Sequence, residues 1–147
     1  VKTGKLRNPR RGIYTKIKYN PEELACLLFT PNYISLEYVL QRTGIIFQFD
    51  SAITNASYLS REIIIDNQLY KYRQFKGEII SNLSGITRKA NGINIATPER
   101  AALDMLYLNK AFYFDNTNPL NKEKIAQLLP VYNSQTLNKQ AKLTFEL

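Results

Sequence analysis

Ile93-Asn94-Ile95-Ala96-Thr97-Pro98-Glu99-Arg100-Ala101-Ala102-Leu103-Asp104-Met105-Leu106-Tyr107-Leu108 passes from a short β-branched run straight into a capped helix. Thr97 stands where a helix cap belongs, Pro98 at the first helical position and Glu99 in the first turn, where the helix dipole favours an acid. Ala101, Ala102, Met105 and Leu108, with Leu103 and Leu106, make this helix apolar nearly all round, which places it in the centre of the core. Arg100 and Asp104 lie four residues apart and are expected to pair. A strand feeding a buried helix, after a β-rich centre and before further helices, gives an α+β class.

Upstream, Ile45–Phe49 and Ala52–Ser57 are extended candidates. Arg61–Ile65 and Leu69–Phe75 flank Asp66-Asn67-Gln68 as a hairpin. Alternation puts Tyr70 and Tyr72 on one face and Lys71 and Arg73 on the other. The tyrosines read as half-buried strand residues, because no glycine–aromatic signature of an RNA-binding sheet accompanies them. Asn20-Pro21-Glu22-Glu23 repeats the cap–proline–acid start, with Leu24, Leu27 and Leu28 as the apolar face and Pro31 as the stop. Ser35 is expected to cap a second helix carrying Leu36, Val39, Leu40 and Thr43, closed by Gly44. Downstream, Asn116–Pro119 is a polar loop. A helix with Ile125, Leu128 and Leu129 then stops at Pro130, and Ser134 caps a last helix with Leu137, Ala141 and Phe145. The sum is a small mixed or antiparallel sheet packed by helices.

The chain has 147 residues, no histidine and one cysteine. That removes the commonest base at neutral pH, the usual zinc ligands and any Ser-His or Cys-His pair. A metal nuclease needs an acid-x-lysine arrangement on a strand, and here Lys71 follows Leu69 and Tyr70. A nucleotidyltransferase needs a Gly-Ser loop before an Asp-x-Asp pair, and a phosphate-binding loop needs glycines; none is present. No catalytic residue, cofactor or metal is therefore expected. Glu99 and Asp104 are explained by their own helix. Cys26, between apolar neighbours, reads as a buried small hydrophobe. No apolar run approaches the roughly 18 residues of a membrane span, and no secretory leader is visible, so a cytoplasmic protein without a membrane partner is expected.

The net charge of +8 is concentrated. Residues 1–18 hold Lys2, Lys5, Arg7, Arg10, Arg11, Lys16 and Lys18 with no acid, whereas the remainder has 13 basic and 12 acidic side chains. Such a block points to a polyanion, with DNA first. Asn8-Pro9-Arg10-Arg11-Gly12 has turn composition between Leu6 and Ile13-Tyr14-Thr15, which predicts a basic hairpin. Lys5, Arg7, Arg10, Arg11 and Lys16 are the candidate DNA-binding residues. Arg10 and Arg11 at the tip suit a narrow minor groove, the others the phosphate backbone.

Several blocks taken together resemble a known family. Lys2-Thr3-Gly4-Lys5-Leu6 through Arg10-Arg11-Gly12-Ile13-Tyr14 is similar to the helix end and wing of a winged helix-turn-helix. Pro31-Asn32-Tyr33-Ile34-Ser35-Leu36-Glu37, Gly44-Ile45-Ile46, and Ala96 to Asp104 with Tyr107-Leu108 resemble the AbiEi-type antitoxins, bacterial regulators of type IV toxin–antitoxin operons. The resemblance implies residues 1–18 as the C-terminal wing of a winged helix whose recognition helix precedes Val1. It implies residues 19–147 as the AbiEi-like C-terminal domain. The implied function is repression of its own operon through operator DNA, with an antitoxin role toward a nucleotidyltransferase toxin that it need not touch. The alternatives are a winged-helix regulator with no toxin partner and, last, a nucleic-acid-processing enzyme.

Overall fold

The structure, a computed structural model, describes residues 19–147 and, ahead of them, the backbone of residues 6–10 and 13–16. Strands β1 (Leu6–Arg10) and β2 (Ile13–Lys16) pair antiparallel as the expected hairpin, with a register irregularity between Arg7 and Arg10. Its tip, Arg11 and Gly12, lies outside the described residues, as does Lys5.

Helix α1 (Pro21–Leu27) starts as its sequence dictates: Asn20 accepts the Glu22 N–H in its side chain, Pro21 opens the helix, and Glu22 and Glu23 fill the first turn. Its inward arc runs from Leu24 through Ala25 to Cys26, about 100° apart each. Leu27, expected on the apolar face, consequently points outward and is 68% exposed. A three-residue strand follows, β3 (Asn32–Ile34), fully buried.

Helix α2 (Glu37–Arg42) begins at Leu36, held at φ 66°, and not at Ser35. The Ser35 hydroxyl was expected to cap it but donates to Asp104 Oδ2 at 2.7 Å, because Ser35 closes a sheet strand instead of opening a helix. Gly44, at φ +78°, ends the helix as expected. Ile45–Phe49 forms no strand. Ile45 and Ile46 are buried by the helix they follow, while Phe47 and Phe49 stand in solvent, so no neighbouring strand pairs with them.

Strand β4 (Ile53–Ser57) is buried on both faces. β5 (Arg61–Ile65) and β6 (Gln68–Gln74) form the predicted hairpin in direct register. Asp66 and Asn67 both take positive φ, as a two-residue turn of this twist requires. A short helix α3 (Gly77–Ile80), a strand β7 (Ile86–Arg88) and a strand β8 (Asn94–Ala96) lead to α4 (Pro98–Leu108), α5 (Lys122–Leu128) and α6 (Gln135–Phe145). Thr97 caps α4 by accepting the Arg100 N–H, and Ser134 caps α6 by accepting that of Leu137.

Among the described residues the large sheet has six strands in the order β5-β6-β4-β3-β8-β7, and it is mixed. β4 runs parallel to β6, and β3 parallel to β8; the remaining pairs are antiparallel. Successive residues of β3 reveal the layers. Asn32 donates to the Cys26 and Leu28 carbonyls on the α1 side, whereas Tyr33 donates to Asp104 of α4 on the other. α5 and α6 then pack on the outside of α4. With the sheet on one side and helices on the other, α4 is covered nearly all round, and residues 99–106 are all buried, Glu99, Arg100 and Asp104 among them. Among the described residues no helix is long and apolar enough to cross a membrane.

Candidate functional site

The hairpin brings some candidate DNA-binding residues together along its backbone. Arg7 opposes Thr15 and the neighbouring rung joins Leu6 to Lys16, so Arg7 and Lys16 belong to adjacent rungs; Arg10 opposes Ile13 next to the tip. Lys5 and Arg11 lie outside the described residues.

The strongest electrostatic feature is elsewhere and was only half visible in the sequence. Arg100 and Asp104 do face each other, with Nε 3.8 Å from Oδ1, but both are sealed from solvent. Three hydroxyls converge on the carboxylate: Tyr33 at 2.9 Å and Ser35 at 2.7 Å on Oδ2, and Tyr132 at 2.6 Å on Oδ1. The Arg100 guanidinium donates to the carbonyls of Ile79, Asn82 and Ser84 and to the Tyr33 hydroxyl, and it lies 4.9 Å over the Tyr33 ring. Burial pushes the Asp104 carboxyl up, against the guanidinium and the hydroxyls, which pull it down. With three hydroxyl donors aimed at it and the guanidinium facing it, the carboxylate is the form that the geometry accommodates. Burial first, and the adjacent carboxylate next, raise the Tyr33 and Tyr132 phenols well above their ordinary range. This cluster ties together β3, α4, the loop after α3 and the turn holding Tyr132. Sealed as it is, its task is to fix those elements in register.

The other lone candidates resolve simply. Cys26 is buried, its sulfur 3.5 Å from the Asn94 N–H, and burial pushes its thiol up, away from the reactive thiolate. Glu99 accepts the Asn121 N–H and so links α4 to the start of α5. Tyr70 and Tyr72 are fully buried, more deeply than half-buried strand tyrosines; the Tyr72 hydroxyl reaches α1 and donates to the Ala25 carbonyl. Among the described residues, no group of three or more Cys, Asp or Glu side chains is placed to hold a metal ion.

A groove of about 830 Å³ lies between the start of α1, α2 and the loop 46–51, within the size range of ligand sites. Its charged walls are Glu22, Arg42 and Asp50. Glu22 accepts the Tyr38 hydroxyl at 2.5 Å, and burial together with that carboxylate pushes the Tyr38 phenol up to about 12. Asp50 accepts the Ala52 N–H and faces Lys71 at 3.9 Å. Arg42 has no oxygen partner among the described residues; its guanidinium lies 4.8 Å over the Tyr38 ring. Phe47 and Phe49 stand at the rim, 71% and 89% exposed.

No family model, curated protein or solved structure matches this chain.

Nothing local in the sequence marks Tyr33, Ser35 and Tyr132 as partners of the ion pair, because the first two and the third come from segments nearly 100 residues apart. The groove is likewise unmarked. Phe47 and Phe49 lie in the extended candidate Ile45–Phe49, and nothing in the composition marks an apolar residue as exposed.

Proposed function

We propose that this protein is a DNA-binding transcriptional regulator that represses its own operon and serves as the antitoxin of a type IV toxin–antitoxin system. The basic hairpin lies along the phosphate backbone with its tip directed to a minor groove, while residues 19–147 carry the antitoxic activity. The observation that carries this reading is the charge distribution: seven cationic residues and no acid in residues 1–18, against a net of +1 for everything after them. The antiparallel hairpin places Arg7 and Lys16 on adjacent rungs of one ribbon. The antitoxin role rests on the resemblance of the Pro31 to Glu37 and Ala96 to Asp104 blocks to AbiEi-type antitoxins.

The test is a titration of the chain against the duplex upstream of its own gene. Arg10→Ala with Arg11→Ala is expected to weaken binding. Unchanged affinity at low salt would remove the hairpin from the account.

A further inference from the structure

We propose that the outer edge of β5 pairs antiparallel with the same edge of a second copy of this chain, centred on Ile63, so that two sheets join into one. The inference rests on the sheet edge and does not depend on the basic hairpin.

β5 ends the six-stranded sheet, and among the described residues no strand lies beyond it. What it offers a partner follows from its turn. Asp66 and Asn67, at φ 52° and 65°, form a two-residue turn, so the flanking Ile65 and Gln68 are a hydrogen-bonded pair. Antiparallel ladders alternate, and Ile63 with Tyr70 and Arg61 with Tyr72 are therefore bonded inward in the same way. That leaves Glu62 and Ile64 with their N–H and C=O groups facing outward. No described residue bonds to these four groups.

This edge also lacks most of the devices that keep strands from pairing. β5 holds no proline and no lysine, and its register with β6 runs without a bulge. Ile64 is 71% exposed. The two charges of the strand, Arg61 and Glu62, are of opposite sign and stand together at one end. The far edge of the sheet is different: β7 has three residues and ends in Arg88, with Lys89 next.

The pattern of outward groups decides the occupant. Two copies related by a two-fold axis through the sheet must oppose outward residues to outward residues, and three registers do so. Setting Glu62 against Glu62 brings like charges together. Setting Ile64 against Ile64 places Glu62 against Asp66, again with like charges. Setting Glu62 against Ile64 bonds all four outward groups of each copy, places Ile63 against Ile63 at the axis and opposes no like charges. β5 is thus complementary to itself in one register. Pairing of β5 with β7 would instead leave an open edge at each end and propagate without closing. Five rungs bury less than the roughly 1,000 Å² of a long-lived complex, so the dimer exchanges with monomer and has a dissociation constant on the order of 0.1 mM.

The test uses the whole chain in sedimentation equilibrium up to about 1 mM, where dimer is expected to predominate. Cysteine trapping then reads the register, with buried Cys26 retained and the unaltered chain as control. Ile63→Cys puts two thiols at the axis, with Cα atoms about 4.5 Å apart and within disulfide reach. Arg61→Cys puts them four residues apart, about 13 Å along the strand. Under mild oxidation Ile63→Cys is expected to give cross-linked dimer at least about tenfold faster than Arg61→Cys. A second pair of variants changes only the exposed Ile64. Ile64→Lys meets Glu62 of the second copy with opposite charge and Ile64→Glu with like charge, so the lysine variant should dimerise at least about fivefold more tightly. A chain that stays monomeric at about 1 mM would overturn the proposal and leave the edge to some other strand. Equal trapping at positions 61 and 63, or equal dimerisation of the two Ile64 variants, would overturn it as well, by placing the contact elsewhere.

Discussion

Asp104→Asn removes a charge from the sealed cluster while preserving its shape. In the unaltered chain the carboxylate receives three hydroxyl donors and faces Arg100, and both charged side chains are fully buried. Asparagine replaces one acceptor oxygen with a donor that confronts hydroxyl protons, and it leaves the guanidinium buried without a counter-charge. Breaking a buried pair from one side costs about 3–5 kcal/mol. That is a large part of the 5–15 kcal/mol typical of a whole domain. Arg100→Met should cost at least as much, at about 5 kcal/mol, since the Ile79, Asn82 and Ser84 carbonyls lose their donor as well. Tyr132→Phe deletes one hydrogen bond to a charged group and should cost about 1.5–3 kcal/mol. Urea unfolding followed by circular dichroism measures the series, with the midpoint falling and the slope constant. An Asp104→Asn midpoint equal to that of the unaltered chain would refute the sealed ion pair as the element that fixes β3 against α4.

Two further outcomes follow from the same packing. Gly85 sits at φ +76°, and a Cβ there would come within 3.0 Å of Leu128 and 3.1 Å of Arg100, so Gly85→Ala should lower stability by about 1–3 kcal/mol. Gly77→Ala, where a Cβ meets nothing within 4 Å, should be neutral or slightly stabilising in the same denaturation assay. In alkali, burial holds the Tyr33, Tyr38, Tyr70 and Tyr132 phenols above their ordinary value of 10.0. Because the folded values are raised, their stabilisation is complete below about pH 10 and is lost as pH rises from there through the value near 12 of Tyr38. Tyrosinate absorbance should therefore show these groups ionising together with loss of the fold; ionisation with the fold intact would contradict their burial.

Local chemistry made much of this fold legible. Asn20-Pro21, Thr97-Pro98 and Ser134 each announce a helix through side chains that satisfy free amides, and all three cap where expected. Asp66-Asn67 announces a tight turn because few other residues tolerate positive φ. β3 was illegible for the opposite reason. Three residues between Pro31 and Ser35 carry no periodicity, and their strand exists only because β4 and β8 pair with them from distant parts of the chain. Ser35 illustrates the cost of local reasoning, as a hydroxyl in cap position was claimed by a carboxylate 69 residues away. α3, of four residues, and β7, of three, are likewise too short to carry a periodic signal. At the candidate site the Arg100–Asp104 spacing was readable, but burial of the pair was not, since burial is set by α5, α6 and the sheet closing around α4.

The most direct test of the functional account is the salt dependence of duplex binding by the whole chain. Contacts to three to five phosphates predict a log–log slope of roughly −3 to −5, and Arg10→Ala with Arg11→Ala should reduce its magnitude by about 1.8. A slope near zero, or one that the double substitution leaves unchanged, would contradict a basic hairpin seated on DNA.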